Sequence, residues 1–496
     1  MSLLPRQADP SRGAVRDKVH KGAPLVARDT TRLTQPTSVA SRVGEDDRRR
    51  HRWHLGPYID RVRGDSLLRN SVFIMANTVV VSALGYVFWL VAAHLFSVQV
   101  NGLTSTIISA SAIIMLLSIA GVAGTFIQLL PGKSTETGWA TTFWAGMATV
   151  VFFAVALCGI ALMVLPLISP KLSVLHRVDY AAVFVFGTVA LAVCATLDFV
   201  YIAERRGSDL FCRGVASVAV KVIVLGFLGL AAGPGPLRLL GAWGAETVFG
   251  LGLGVALLVR HRRVARPPGI SVLVRTALGF RSFVAGNQVI GMAVGLLPYL
   301  LALLVAARLS PGDNAYFNTA WTLGALFLIV SPSVSTSLFA EGVHRPDEVG
   351  PMVRSAFRII GAILVPGLVA ILAVGGIVLS AFGPAYAEHG VGLLRITVVA
   401  SIPNAVTCVY ASILRAHGRL TTVGLLYLGI SFGTLAMSWL LLPVIGISAV
   451  GWAFLAMQLW GCVYVVLRSR KHTSPKRLQS RRHREEERIT SKANSP

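Results

Sequence analysis

Twelve stretches of this chain are long and apolar enough to cross a lipid bilayer, and that leaves few folds open. They lie at 71–96, 102–130, 139–165, 180–203, 209–232, 238–260, 279–307, 314–339, 354–381, 389–414, 419–443 and 446–468. A hydrocarbon core of about 30 Å needs roughly 20 apolar residues in helical form. In lipid every backbone amide and carbonyl must be satisfied internally, which admits only helices or a closed barrel. Barrel strands are about 10 residues of alternating polarity. These segments are twice that length and uniformly apolar, so the sequence predicts an all-α integral membrane protein of about 12 transmembrane helices.

Charge agrees. Only 14% of residues are charged, and the mean hydropathy is +0.67. A soluble domain carries about 25% charged residues, so lipid must cover much of this surface. The net charge of +24 is concentrated in polar tails: residues 1–68 contribute +6 and residues 469–496 another +6. Both read as disordered basic tails. The run Asp46-Asp47-Arg48-Arg49-Arg50-His51-Arg52 reads as a solvated juxtamembrane segment, and no nucleic acid is expected as a partner. The first thirty residues lack the apolar core of a secretory signal, so insertion is expected to begin with the first membrane helix. The five cysteines sit in apolar segments without metal or redox spacing.

Lysine and arginine in short loops mark the cytoplasmic side. With both tails placed inside, the inner loops carry fourteen and the outer loops four, namely Lys171, Arg177, Arg238 and Arg308. The expectation is a plasma-membrane protein with both termini cytoplasmic.

The sequence also repeats. A shift of 210 residues lays Phe73, Asn77, Val79, Ala83 and Gly85 of the first helix on Phe283, Asn287, Val289, Ala293 and Gly295 of the seventh. A shift of 209 lays Val200, Tyr201 and Arg206 on Val409, Tyr410 and Arg415. Six helices per repeat give both halves the same topology, so the repeat is parallel, a transporter design with its site between the halves. The expected organisation is a six-helix bundle over 69–260, a basic cytoplasmic linker over 261–278 and a second six-helix bundle over 279–468.

Several short stretches, in order, carry a family resemblance. They are Leu95-Phe96-Ser97 through Asn101-Gly102 with Gly121-Val122-Ala123-Gly124, Asp313 through Ala320, Phe382-Gly383-Pro384-Ala385-Tyr386, Leu414 through Arg419, and Ile445 through Gly451. The chain resembles the polysaccharide-transporter (Wzx-type) branch of the multidrug/oligosaccharidyl-lipid/polysaccharide exporter superfamily over residues 69–468. It departs from the pattern at Asn101, where the family often has tyrosine, and at His417. The resemblance implies a flippase that moves a polyprenyl-(pyro)phosphate-linked oligosaccharide to the outer leaflet by alternating access. A lipid-linked glycan and membrane lipid are then its partners, with room for a coupling cation and a polysaccharide polymerase. No enzyme signature, cofactor motif or metal motif occurs.

An anionic, sugar-rich head group calls for cations and hydrogen-bonding groups in a cavity, and charges within membrane helices are functional candidates by default. Lys221, mid-way along the fifth helix, is either a cavity cation or the partner of Glu246 or Asp198. Glu246 and Asp198 either titrate during transport or neutralise Lys221 and Arg213. Arg281, Arg69 and Arg213 sit near the cytoplasmic feet of their helices, as anion ligands or as anchors. Asn77 and Asn287, equivalent in the repeat, either line the cavity or cross-link helices; Gln288 and Asn404 are of the same kind. Pro298, Pro332, Pro366 and Pro403 permit kinks. Competing readings are a cation-coupled multidrug or metabolite antiporter, which would favour carboxylates in the cavity, a lipid II flippase, and a membrane scaffold.

Overall fold

The computed structural model describes residues 66–131, 135–232, 235–261, 266–280, 287–335, 349–416 and 419–472. The basic tails lie almost wholly outside these residues, as does Arg281. In chain order the helices are α1 (Ser66–Leu95), α2 (Val98–Ser118), α3 (Val122–Leu129), α4 (Glu136–Ile168), α5 (Val178–Ala203), α6 (Gly207–Ala232), α7 (Pro236–His261), α8 (Ile270–Gly279), α9 (Asn287–Arg308), α10 (Pro311–Leu328), α11 (Val349–Ser380), α12 (Pro384–Ala416), α13 (Leu420–Ile445) and α14 (Ser448–His472). Twelve are long and apolar enough to cross a membrane; α3 and α8 are not among them.

Two departures from the predicted spans have local causes. The second span is broken: Gly121 adopts φ +81°, open to glycine but strained for other residues, and the chain turns there from α2 into α3. The predicted linker contains a helix, α8, because 270–280 carries apolar residues at helical spacing. Elsewhere the boundaries follow caps. Ser97 Oγ accepts from the Val100 amide and Ser310 Oγ from the Asp313 amide, so the second helix of each half starts on a serine N-cap. Asn101, the departure noted above, is buried, and its side-chain amide donates to the Ala92 and Phe96 carbonyls at 3.1 and 3.2 Å. It thereby adds a second bond to the Ala92 carbonyl, which already accepts from the Phe96 amide, and serves the Phe96 carbonyl just past the end of α1.

The two halves pack alike. In the first, α1 packs on α6, α6 on α7, α7 on α5, and α5 on both α4 and α2; in the second, α9 packs on α13, α13 on α14, α14 on α12, and α12 on both α11 and α10. The same pairing recurs in the same order, as a parallel repeat requires. Lipid tails are as apolar as the side chains facing them, so helix association rests on close packing of small residues. Gly187 abuts Trp243, Gly324 abuts Thr397, and Gly433 abuts Met457. Large apolar side chains such as Phe152, Met163 and Ile377 stay exposed on the outer surface.

The halves meet along α2, which packs on α9 and α10. At the N-terminal ends of α2 and α10 the backbones touch: a Cβ on Gly102 would overlap the Pro311 carbonyl. Beside them Asn314, fully buried, donates from its amide to Thr106 Oγ1 at 2.8 Å and Ser105 Oγ at 3.0 Å. Tyr86 of α1 meets Phe382 edge-on with ring centres 5.0 Å apart. This end of the molecule, where α1 turns into α2, is sealed.

Candidate functional site

Charges inside the first half are paired. α6 carries Lys221 one and a half turns or more from either end, and α7 presents Glu246 to it. Lys221 Nζ lies 2.7 Å from Glu246 Oε2 and 4.7 Å from the centre of the Phe88 ring. Two turns away Arg213, buried, is ion-paired with Asp198 of α5. Gly250 and Gly254 of α7 leave room for that guanidinium, and Tyr201 donates its hydroxyl to the Gly254 carbonyl. At the foot of α6, Arg206 pairs with Asp209 and donates to the Leu257 carbonyl at 3.0 Å. An unpaired charge at this depth is costly, and a pair is the ordinary remedy. Of the alternatives open for Lys221, Glu246, Asp198 and Arg213, the geometry displays the pairing.

Asn77 faces α6 at Gly214, and its Oδ1 is buried without a hydrogen-bond partner. Arg69 falls in the first turn of α1 and Asn287 opens α9; their side chains, and that of Gln288, lie outside the described residues.

The second half holds a cavity of about 540 Å³ among α9, α10, α12, α13 and α14. It occupies the half of the bundle away from the sealed end. Pro298 and Pro332, two of the predicted kink prolines, form part of its wall, with Trp321 and Phe454. Its polar groups include Arg415, Asn404, Ser412, Tyr427, Ser431 and Gln458. Arg415 is half-buried and its Nε is buried without a hydrogen-bond partner. Among the described residues the second half has only two acids, Asp313 and Glu388. Glu388 is 27 residues up the same helix, about 40 Å at 1.5 Å per residue. Asp313 lies at the sealed end, where its carboxylate accepts from Ser310. Arg415 is thus a cation in a largely apolar cavity with no described carboxylate near it. A planar guanidinium suits two phosphate oxygens at once, and amides with hydroxyls around it suit sugar hydroxyls.

Twelve helices of spanning length in two like-packed halves recur in solved structures. The chain superposes on the lipid II flippase MurJ in an inward closed conformation, with a TM-score of 0.63 at 11% identity over 80% of this chain and 87% of that one. It superposes on an inward-facing multidrug resistance MATE family transporter of the MOP superfamily, with a TM-score of 0.62 at 12% identity over 78% and 94%. The chain has the MATE–MurJ fold. In sequence it is 24% identical over 158 residues to the probable flippase AglR of Haloferax volcanii. That match spans 30% of this chain and a third of the relative's length. No family model matches the chain.

Within this fold the predicted residues divide. Lys221 and Glu246 come together, as do Arg213 and Asp198, while Asn404 lines the cavity of the other half. Arg415 escaped the sequence reading because it stood at the predicted end of a helix and was counted as a loop anchor; α12 in fact runs to Ala416. A signal was present. The repeat lays Arg206 on Arg415, and Arg206 has Asp209 three residues on, whereas Arg415 is followed there by Gly418. The first arginine carries its own counter-ion and the second does not.

Proposed function

We propose that this chain is a flippase that carries a polyprenyl-(pyro)phosphate-linked oligosaccharide from the cytoplasmic to the outer leaflet. The observation that carries the reading is Arg415, without a carboxylate among the described residues near it, in a largely apolar cavity that also presents two amides and several hydroxyls. The phosphate engages the guanidinium and the sugars engage Asn404, Gln458 and the hydroxyls. A cation-coupled drug antiporter needs the opposite polarity, a carboxylate in the cavity, and none lines this one among the described residues. The fold of the lipid II flippase and the partial match to a probable flippase support a lipid-linked cargo. The basic loops support an orientation with both termini and the Arg415 end in the cytoplasm. The sealed seam then faces outward, and the cavity is positioned to load from inside. The two bodies that move are 69–260 and 279–468, joined by 261–278, with Arg69 and Arg281 at the loading side.

The test is the pool of polyprenyl-linked saccharides in cells lacking the protein, read by mass spectrometry. One finished oligosaccharide-lipid should accumulate, and wild-type protein should clear it while Arg415→Ala, at equal membrane level, should not. Absence of any accumulating glycolipid overturns the reading.

A further inference from the structure

The helix α8, between the halves, has three faces. Leu273, Thr276, Ala277 and Phe280 turn toward the first half: α8 packs on α4, and Phe280, 5% exposed, joins the core of Phe126, Trp139 and Phe143. A second stripe at i, i+4 and i+8, formed by Ile270, Val274 and Leu278, is 54–80% exposed. The third face carries Ser271 and Arg275, both exposed, with exposed Arg260 and Arg266 just before the helix. The exposed apolar stripe therefore adjoins a basic face, and between Glu246 and Asp313 the sequence has no acidic residue at all.

We propose that α8 is a membrane-surface helix seated on an anionic leaflet, with Ile270, Val274 and Leu278 among the acyl chains and Arg260, Arg266 and Arg275 on phospholipid phosphates. Its contact with α4 is near the start of that helix, which is long and apolar enough to span, so α8 lies level with the end of the span. An amphipathic helix at that level buries its apolar stripe below the head groups and holds cationic side chains among them. An anionic leaflet answers apolar stripe and charge together. The inference does not depend on the cargo. It ties the sole covalent link between the halves to the lipid composition of one leaflet, so leaflet charge would bias how the halves stand.

The full chain in nanodiscs tests this. Spin labels at Val274→Cys and Ser271→Cys, in a chain whose native cysteines are replaced by serine, report depth. The 274 label should collide mostly with oxygen, and the 271 label mostly with an aqueous nickel reagent. Native mass spectrometry should show Arg266→Gln with Arg275→Gln retaining less phosphatidylglycerol, by about fivefold per arginine removed, with phosphatidylcholine unchanged. The charge-keeping pair Arg266→Lys with Arg275→Lys should retain it, which separates charge from misfolding. Equal access of the aqueous reagent to both labels, dipolar broadening between copies at 274, or unchanged phosphatidylglycerol retention overturns the proposal.

Discussion

The two halves of this molecule share a helix arrangement and differ in how they treat charge. In the first, each basic residue described within the bundle core meets an acid: Lys221 with Glu246, Arg213 with Asp198, and Arg206 with Asp209 at its edge. In the second, Arg415 stands in a cavity with no described acid near it. A neutralised pair holds helices together and has little attraction left for a ligand. An unneutralised cation destabilises its own surroundings and is relieved by an anion. One scaffold, used twice, thus pairs its core cations with acids in one copy and holds a cation with no described acid near it in the other.

The comparison can be broken most forcefully in the first half. Lys221→Met alone or Glu246→Gln alone should lower stability by about 3–5 kcal/mol, because each leaves a buried charge without its partner. The combined Lys221→Met and Glu246→Leu should recover most of that loss, read as thermal unfolding in detergent. If the double variant folds but no longer clears the lipid-linked saccharide, the pair is part of transport and the contrast between halves fails. In the second half Arg415→Ala should cost about a hundredfold in transport, since hydrogen bonds to charged groups contribute about 1.5–3 kcal/mol each. Its unfolding temperature should hold or rise. A fall in stability like that of the Lys221 variant would make Arg415 a strut too. The smallest effect belongs to the seam. Asn314→Ala removes inter-helix hydrogen bonds worth about 0.6–2 kcal/mol in membranes and should raise the open-seam population about tenfold. Spin-label distances across α2 and α10 would register it.

Much of this was legible from sequence, and what was not has a physical reason. Segment length along one dimension dictates membrane spans, so the twelve helices and their division into halves could be read directly. The pairs were legible as a short list, because Lys221, Glu246, Asp198 and Arg213 are the few charges deep in consecutive helices. Choosing among partners required the rotation of each helix about its axis, which low-amphipathicity membrane helices do not encode. The cavity was not legible, since most of its lining is apolar and drawn from five separate helices, and its serines read no differently from buried ones such as Ser438. The break at Gly121 was missed because apolar residues continue on either side of it. Asn101 looked like an anomaly until its amide was seen closing α1.

The hydroxyls of α2 have a consequence for cycling. Ser105 and Thr106 donate to the Gly102 carbonyl, Ser111 to Ile107 and Ser118 to Ile114, all on their own helix. Only the Asn314 amide reaches across to them. A seam whose hydroxyl donors are already served at home strands little more than the Asn314 amide when it parts. Few polar bonds then tie the two faces together, and a ligand that prefers one arrangement by a few kilocalories would suffice to choose between them.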